Sequence, residues 1–74
     1  MTPIEEYVIR QVKRLRVEKG LSQQAFGDNI NLSQSFIWDC ENPRKRTKYN
    51  LRHLNEIVKV FGCDFSYFFP EKPL

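Results

Sequence analysis

Ile4, Val8, Val12 and Leu15 recur at intervals of four, four and three along the start of the chain, which returns them to one face of an α-helix. Arg10, Lys13, Arg14 and Glu18 fall on the other faces, so the apolar stripe is a packing face. Thr2-Pro3-Ile4-Glu5 forms a capping box with proline at the first helical position, and Gly20 stops the helix, predicting a span from Pro3 to about Lys19. A second pattern then occurs twice. Leu21-Ser22-Gln23 and Leu32-Ser33-Gln34 each place a serine where its oxygen can accept from an unsatisfied backbone N–H. They predict short helices at about 23 to 30 and 34 to 41. In the first, Phe26 and Ile30 share one side, and Gly27 beside Phe26 leaves room for another helix to approach. Asn31 ends it, because the turn needs a residue that tolerates positive φ, and asparagine commonly replaces glycine there.

Further along, Asn50 caps a helix in which Leu51, Leu54, Ile57, Val58 and Phe61 have amphipathic spacing and which Gly62 ends. Asp64 is expected to cap a final short helix with Phe65, Phe68 and Phe69 inward, and Pro70 and Pro73 close the chain. The connection from Asn42 to Tyr49 has little reason to be regular. No strand pair, internal repeat or interdomain linker is evident. The expectation is an all-α, compact five-helix bundle, a single domain over 1–74 with its core at about 3–69 and a helix-turn-helix motif at about 22–42.

Composition narrows the possible chemistry. With 74 residues, a single core supplies only about 3 to 5 kcal/mol unless it is very well packed; six Phe, three Tyr and one Trp supply that packing. Cys40 and Cys63 are far apart in sequence and only His53 could join them, so the usual zinc spacings are absent and no metal or cofactor is expected. Both thiols sit at apolar-patterned positions and are expected to be buried and free, as in a reducing cytoplasm. No segment approaches the ~18 apolar residues of a membrane span, and the first residues lack the regions of a signal peptide. A soluble cytoplasmic protein with no membrane partner is expected. His53 alone on a basic helix, with both thiols in apolar positions, offers no nucleophile and base pair, so neither an enzyme nor a small-molecule substrate is indicated.

The net charge of +3 is modest, but its distribution is uneven. No acid occurs between Glu41 and Glu56, while Arg44, Lys45, Arg46, Lys48 and Arg52 fall in that interval, just after the second short helix. At ~100° per residue, Ile37, Cys40 and Glu41 define the inward side of that helix. The opposite direction carries Ser35 and Asp39, with Gln34 and Trp38 on one flank and Phe36 on the other. In a major groove Gln34 can bond adenine in pairs, and Ser35 can donate or accept at any base. Asp39 either accepts from a cytosine amino group or repels DNA. Trp38 and Phe36 either meet thymine methyls, serve a protein partner, or fold back, Phe36 onto the core and Trp38 over the turn or basic loop.

The order Leu15-Arg16, Gly20-Leu21-Ser22-Gln23, Phe26-Gly27, Leu32-Ser33, Ile37, Glu41-Asn42, Leu51, Leu54, Phe61-Gly62, Phe65 and Phe68-Phe69 resembles the Cro/repressor-type (Xre family) helix-turn-helix domain. The resemblance runs from about Val8 to Phe69 and implies a lambda-repressor-like fold. It implies an ion pair between Arg16 and Glu41 that ties the first helix to the recognition helix. It also implies base reading by Gln34, Ser35 and Asp39 with Trp38 contributing, and phosphate contacts by Gln23, Ser33, Asn42, Arg44, Lys45 and Arg46. Pro43 departs from the family's usual glycine, stiffening the loop and removing one N–H. The function implied is a sequence-specific regulator of transcription, a repressor for example, that binds double-stranded DNA with the second motif helix in the major groove. Because one small module makes few contacts, a homodimer on half-sites about one helical turn apart is expected, with the aromatic tail among the candidate dimer surfaces. The alternative is a protein-interaction module on the same fold, antitoxin-like or an anti-repressor partner, using Trp38 and Phe36 as anchors.

Overall fold

Each helix begins at a side chain that accepts a bond from its first turn. In the computed structural model, which describes residues 1–74, Thr2 caps α1 (Pro3–Glu18), Ser22 caps α2 (Gln23–Ile30), Ser33 caps α3 (Gln34–Glu41) and Asn50 caps α4 (Leu51–Phe61). The Thr2 cap is a full box, with the Thr2 N–H donating to Glu5 Oε1 at 2.9 Å. Asn50 has an equivalent arrangement in which His53 Nδ1 accepts from the Asn50 N–H at 3.1 Å. This bond requires a lone pair on Nδ1, so the neutral ring carries its proton on Nε2. The stops follow the same local logic. Asn31 at φ 63° and Gly62 at φ 70° close α2 and α4 in the left-handed region.

The chain is all-α, with no strand. The expected fifth helix is a single 3-10 turn, Phe65–Phe68. Asp64 makes no side-chain cap bond there, and Pro70 forces the preceding Phe69 into extended backbone at φ −122° and ψ 141°, so no room remains for an α-helical turn. The inward aromatic trio also reduces to one residue. Phe68 is fully buried, whereas Phe65 and Phe69 are 48% and 38% exposed; a single tight turn carries one side chain into the core, and the extended Phe69 turns away from it.

One core joins all these elements. Val8, Val12 and Leu15 of α1 meet Phe26 and Ile30 of α2, Ile37 and Cys40 of α3, Leu54 and Ile57 of α4, and Phe68. Phe61 stacks on Phe26 with ring centres 5.3 Å apart, an offset contact that adds to the area buried. Two expected core positions lie at the margin. Ile4 leaves the core at the first turn of α1, and Leu51, the first residue of α4, is largely exposed. Tyr49 takes the place left beside them. It is buried at the end of the irregular loop, where Phe36 and His53 meet its ring edge-on.

The close approach at Gly27 is to the turn first and to α3 next, whose Ile37 side chain would lie 3.5 Å from a β-carbon there. A β-carbon there would lie 2.3 Å from the Leu32 carbonyl oxygen. The Gly27 carbonyl in turn accepts from the N–H groups of Asn31 and Leu32. Glycine thus lets the backbone between α2 and α3 fold flat against α2, which fixes where α3 starts.

Candidate nucleic-acid interface

The anchor of the site is the α1 guanidinium of Arg16. Its Nε and Nη2 each donate to Glu41 at 2.8 Å, and its Nη1 donates to the Leu21 carbonyl at 2.9 Å. The fork matches both carboxylate oxygens, and its third nitrogen bonds the residue before the Ser22 cap. Only 13% of the Arg16 side chain and 6% of the Glu41 side chain remain exposed. One ion pair therefore fixes the C-terminal end of α3 to α1 and to the entry of α2.

Gln23 joins this pair. Its Nε2 donates to Glu41 Oε1 at 3.2 Å and the side chain is half-buried, so the amide points along the ion pair and not outward as a phosphate contact requires. The backbone N–H groups of Gln23 and Gln24 have no acceptor within the chain, as expected for the first turn of a helix. They are the donors that α2 can offer to an anion.

On α3, Gln34, Ser35 and Trp38 are exposed together, and Asp39 and Phe36 are half-buried at their edges. Trp38 is 52% exposed and makes no aromatic pair, while Phe36 turns inward against Tyr49 and His53. Phe36 is thereby removed from the outward set. Asp39 has no ion-pair partner, and α3 carries no cation. Ser33 accepts from the Phe36 N–H at 3.1 Å, which leaves its hydroxyl proton free to donate.

Beside the ion pair, the inward side of α3 meets two uncharged groups. Burial pushes the Cys40 thiol up to about 12, and burial likewise raises the Tyr49 phenol. Both groups keep their protons at neutral pH. The Tyr49 hydroxyl faces the Cys40 thiol and makes no hydrogen bond of normal geometry, an orphaned donor that costs stability. Cys40 and Cys63 are free thiols.

The basic loop leaves directly from α3. Asn42 Oδ1 accepts from the Arg44 N–H at 3.0 Å, and the Asn42 carbonyl accepts from the Lys45 N–H at 3.0 Å. This Asx turn sets Arg44, Lys45 and Arg46 in solvent with no acid bound to any of them. Lys48, by contrast, is paired with Glu5 of α1. The three loop cations line a groove of about 430 Å³ whose other wall is the first half of α1, where Arg10 stands. In the sequence Arg10 carries no signal beyond that of a cation on an outer helix face. No family model, curated protein or solved structure matches the chain. No helix is long and apolar enough to cross a membrane.

Proposed function

We propose that the chain is a sequence-specific, double-stranded DNA-binding regulator of transcription on a lambda-repressor-like, Xre-type helix-turn-helix fold. In this reading α3 enters the major groove. The observation that carries it is the juxtaposition on one short stretch of chain. Gln34, Ser35 and Trp38 stand exposed and unpaired on α3, and the next loop presents the unpaired Arg44, Lys45 and Arg46. Base-edge donors beside phosphate-seeking cations are the two components of DNA recognition. Gln34 and Ser35 read bases, Trp38 offers an apolar face to a thymine methyl, and Asp39 accepts from a cytosine amino group. Ser33, Asn42 and the loop cations hold the backbone, with the free N–H groups of α2 replacing the Gln23 amide. The reading includes a homodimer on DNA, supported by the apolar side chains left exposed toward the end of the chain, Val60 of α4, Phe65 of the last turn and Phe69 after it.

Selection of bound sites from random duplexes, followed by titration of the selected duplex at several salt concentrations, tests this reading. The expected result is an enriched site, with log K falling against log salt at a slope near −3 per subunit for three or four phosphates. A flat salt response overturns it. A second reading, a protein-interaction module that is antitoxin-like or an anti-repressor partner, is favoured by the absence of cations on α3 and by the exposed Trp38 beside the unpaired Asp39. It predicts that no duplex is enriched.

A further inference from the structure

We propose that Arg10 of α1 binds a DNA phosphate, so that the groove between α1 and the 42–46 loop receives the sugar-phosphate backbone and the interface extends beyond the helix-turn-helix. This inference rests on the DNA-binding reading. Of the 12 Lys and Arg residues, Arg14, Arg16, Lys48 and Lys59 are committed to ion pairs. Among the cations left free, Arg10, Arg44, Lys45 and Arg46 line this one groove of about 430 Å³. They come from both of its walls, which suits a chain of phosphates better than one small anion.

Of the two acids at the groove, one is engaged elsewhere and one is free, so four cations face a single free carboxylate. Both Glu41 oxygens are occupied by Arg16 and Gln23, so Glu41 contributes no free carboxylate. Glu6 stands four residues before Arg10, a spacing at which helical ion pairs form, yet the two make no ion pair. The Arg10 guanidinium instead lies 5.9 Å from the centre of the Tyr7 ring. A cation held against an aromatic face keeps its edge N–H donors available, and phosphate oxygens are the acceptors those donors fit. The loop wall starts at Asn42, the residue that ends α3. A backbone followed along the loop therefore leads from the edge of the reading helix to α1.

Non-specific duplex binding is sufficient for the test, because phosphate contacts are read through salt whatever the sequence. The probe is a mixed-sequence duplex of about 30 base pairs, titrated at roughly 50 and 200 mM salt. Each released contact lowers the slope by about 0.9, so the fourfold salt increase weakens Arg10→Gln about 3.5-fold less than the parent. Arg10→Lys restores most of the parental slope, and Lys72→Gln, outside the groove, leaves it unchanged. Thermal melting of each variant establishes that it is folded. Arg44→Gln separates the two claims. If Arg44→Gln lowers the slope and Arg10→Gln does not, the α1 contact is overturned and DNA binding stands. An equal loss in Arg10→Gln and Lys72→Gln also overturns the contact, since net charge alone then accounts for it. A parent with no salt-dependent binding overturns both.

Discussion

Gln23 and Gln34 each follow a Leu-Ser pair at the start of an eight-residue helix, yet they end in opposite surroundings. The caps themselves match: Ser22 Oγ accepts from the Ala25 N–H at 3.0 Å and Ser33 Oγ from the Phe36 N–H at 3.1 Å. Beyond the cap the two starts diverge. The Gln23 amide bonds Glu41 and is half-buried, whereas Gln34 is exposed and unpartnered. A cap is decided within three residues of chain. The fate of the next side chain is decided by what the fold brings near, here a carboxylate 18 positions away. The comparison separates a start that serves the scaffold from one free to serve a ligand.

The largest effect should come from removing what holds Gln23 inward. Glu41→Gln leaves the Arg16 guanidinium nearly buried without its counter-charge, and breaking such a pair from one side costs about 3 to 5 kcal/mol. For so small a core this approaches the whole stability. The urea unfolding midpoint at neutral pH measures it, and a loss below about 1 kcal/mol would mean that the pair is not structural. Next in size is Gly27→Ala, whose new methyl meets the Leu32 carbonyl at 2.3 Å. The backbone must shift, at about 1 to 3 kcal/mol by the usual cost of overpacking. Because Leu32 precedes the Ser33 cap, the second start moves relative to the first. Amide chemical shifts of Ser33 to Phe36 should change more than those of Ser22 to Ala25; equal changes would break the assignment of Gly27 to the turn.

Much of the frame was legible because it is written locally. Thr2, Ser22, Ser33 and Asn50 mark the four starts, and Asn31 and Gly62 mark stops, each through chemistry confined to one turn. The pairing of Arg16 with Glu41 came from the resemblance, and the two side chains are bonded as described. What escaped the reading depends on contacts between distant segments. Tyr49 looked like part of an irregular loop, but Phe36 and His53 enclose it. Gln23 matched a phosphate-binding position by sequence, but its amide finds Glu41 first. Arg10 lies on a polar face of α1 and takes its proposed role only from the loop folded opposite it. The last helix failed for a local reason, since Pro70 leaves only one tight turn after Asp64.

Replacing the two glutamines tests the comparison directly. Gln23→Ala removes one bond to Glu41 and should cost about 1 kcal/mol of stability, with site preference unchanged. Gln34→Ala, at an exposed position, should leave stability within about 0.5 kcal/mol. It should also relax discrimination at one base pair by about 1 to 3 kcal/mol. Unfolding curves and site selection on both variants provide the measurement. If Gln23→Ala changes the preferred site and Gln34→Ala does not, the two roles are reversed.

Acid distinguishes these starts from the other two at the smallest amplitude. The Ser22 and Ser33 caps contain no titratable group, whereas the caps of α1 and α4 return a bond through Glu5 and His53. Lys48 and then the Thr2 N–H hold the Glu5 carboxyl down at about 2. Burial, and then the Arg52 charge, hold His53 below its usual value. Both folded values are depressed, so both contributions are present above the unfolded values of about 4.3 for Glu and 6.5 for His and are lost as pH falls through the folded ones. As pH falls from 7, protonation first fills the His53 Nδ1 lone pair and frees the Asn50 N–H. Glu5 follows only as pH drops from about 4 towards 2. Hydrogen exchange corrected for intrinsic rates should therefore show Asn50 losing protection only as pH falls below the ordinary histidine value of about 6.5, while Ala25 and Phe36 keep theirs. Equal loss at all three amides would mean that the helix starts open together, and the independence of the two Leu-Ser-Gln caps would not hold.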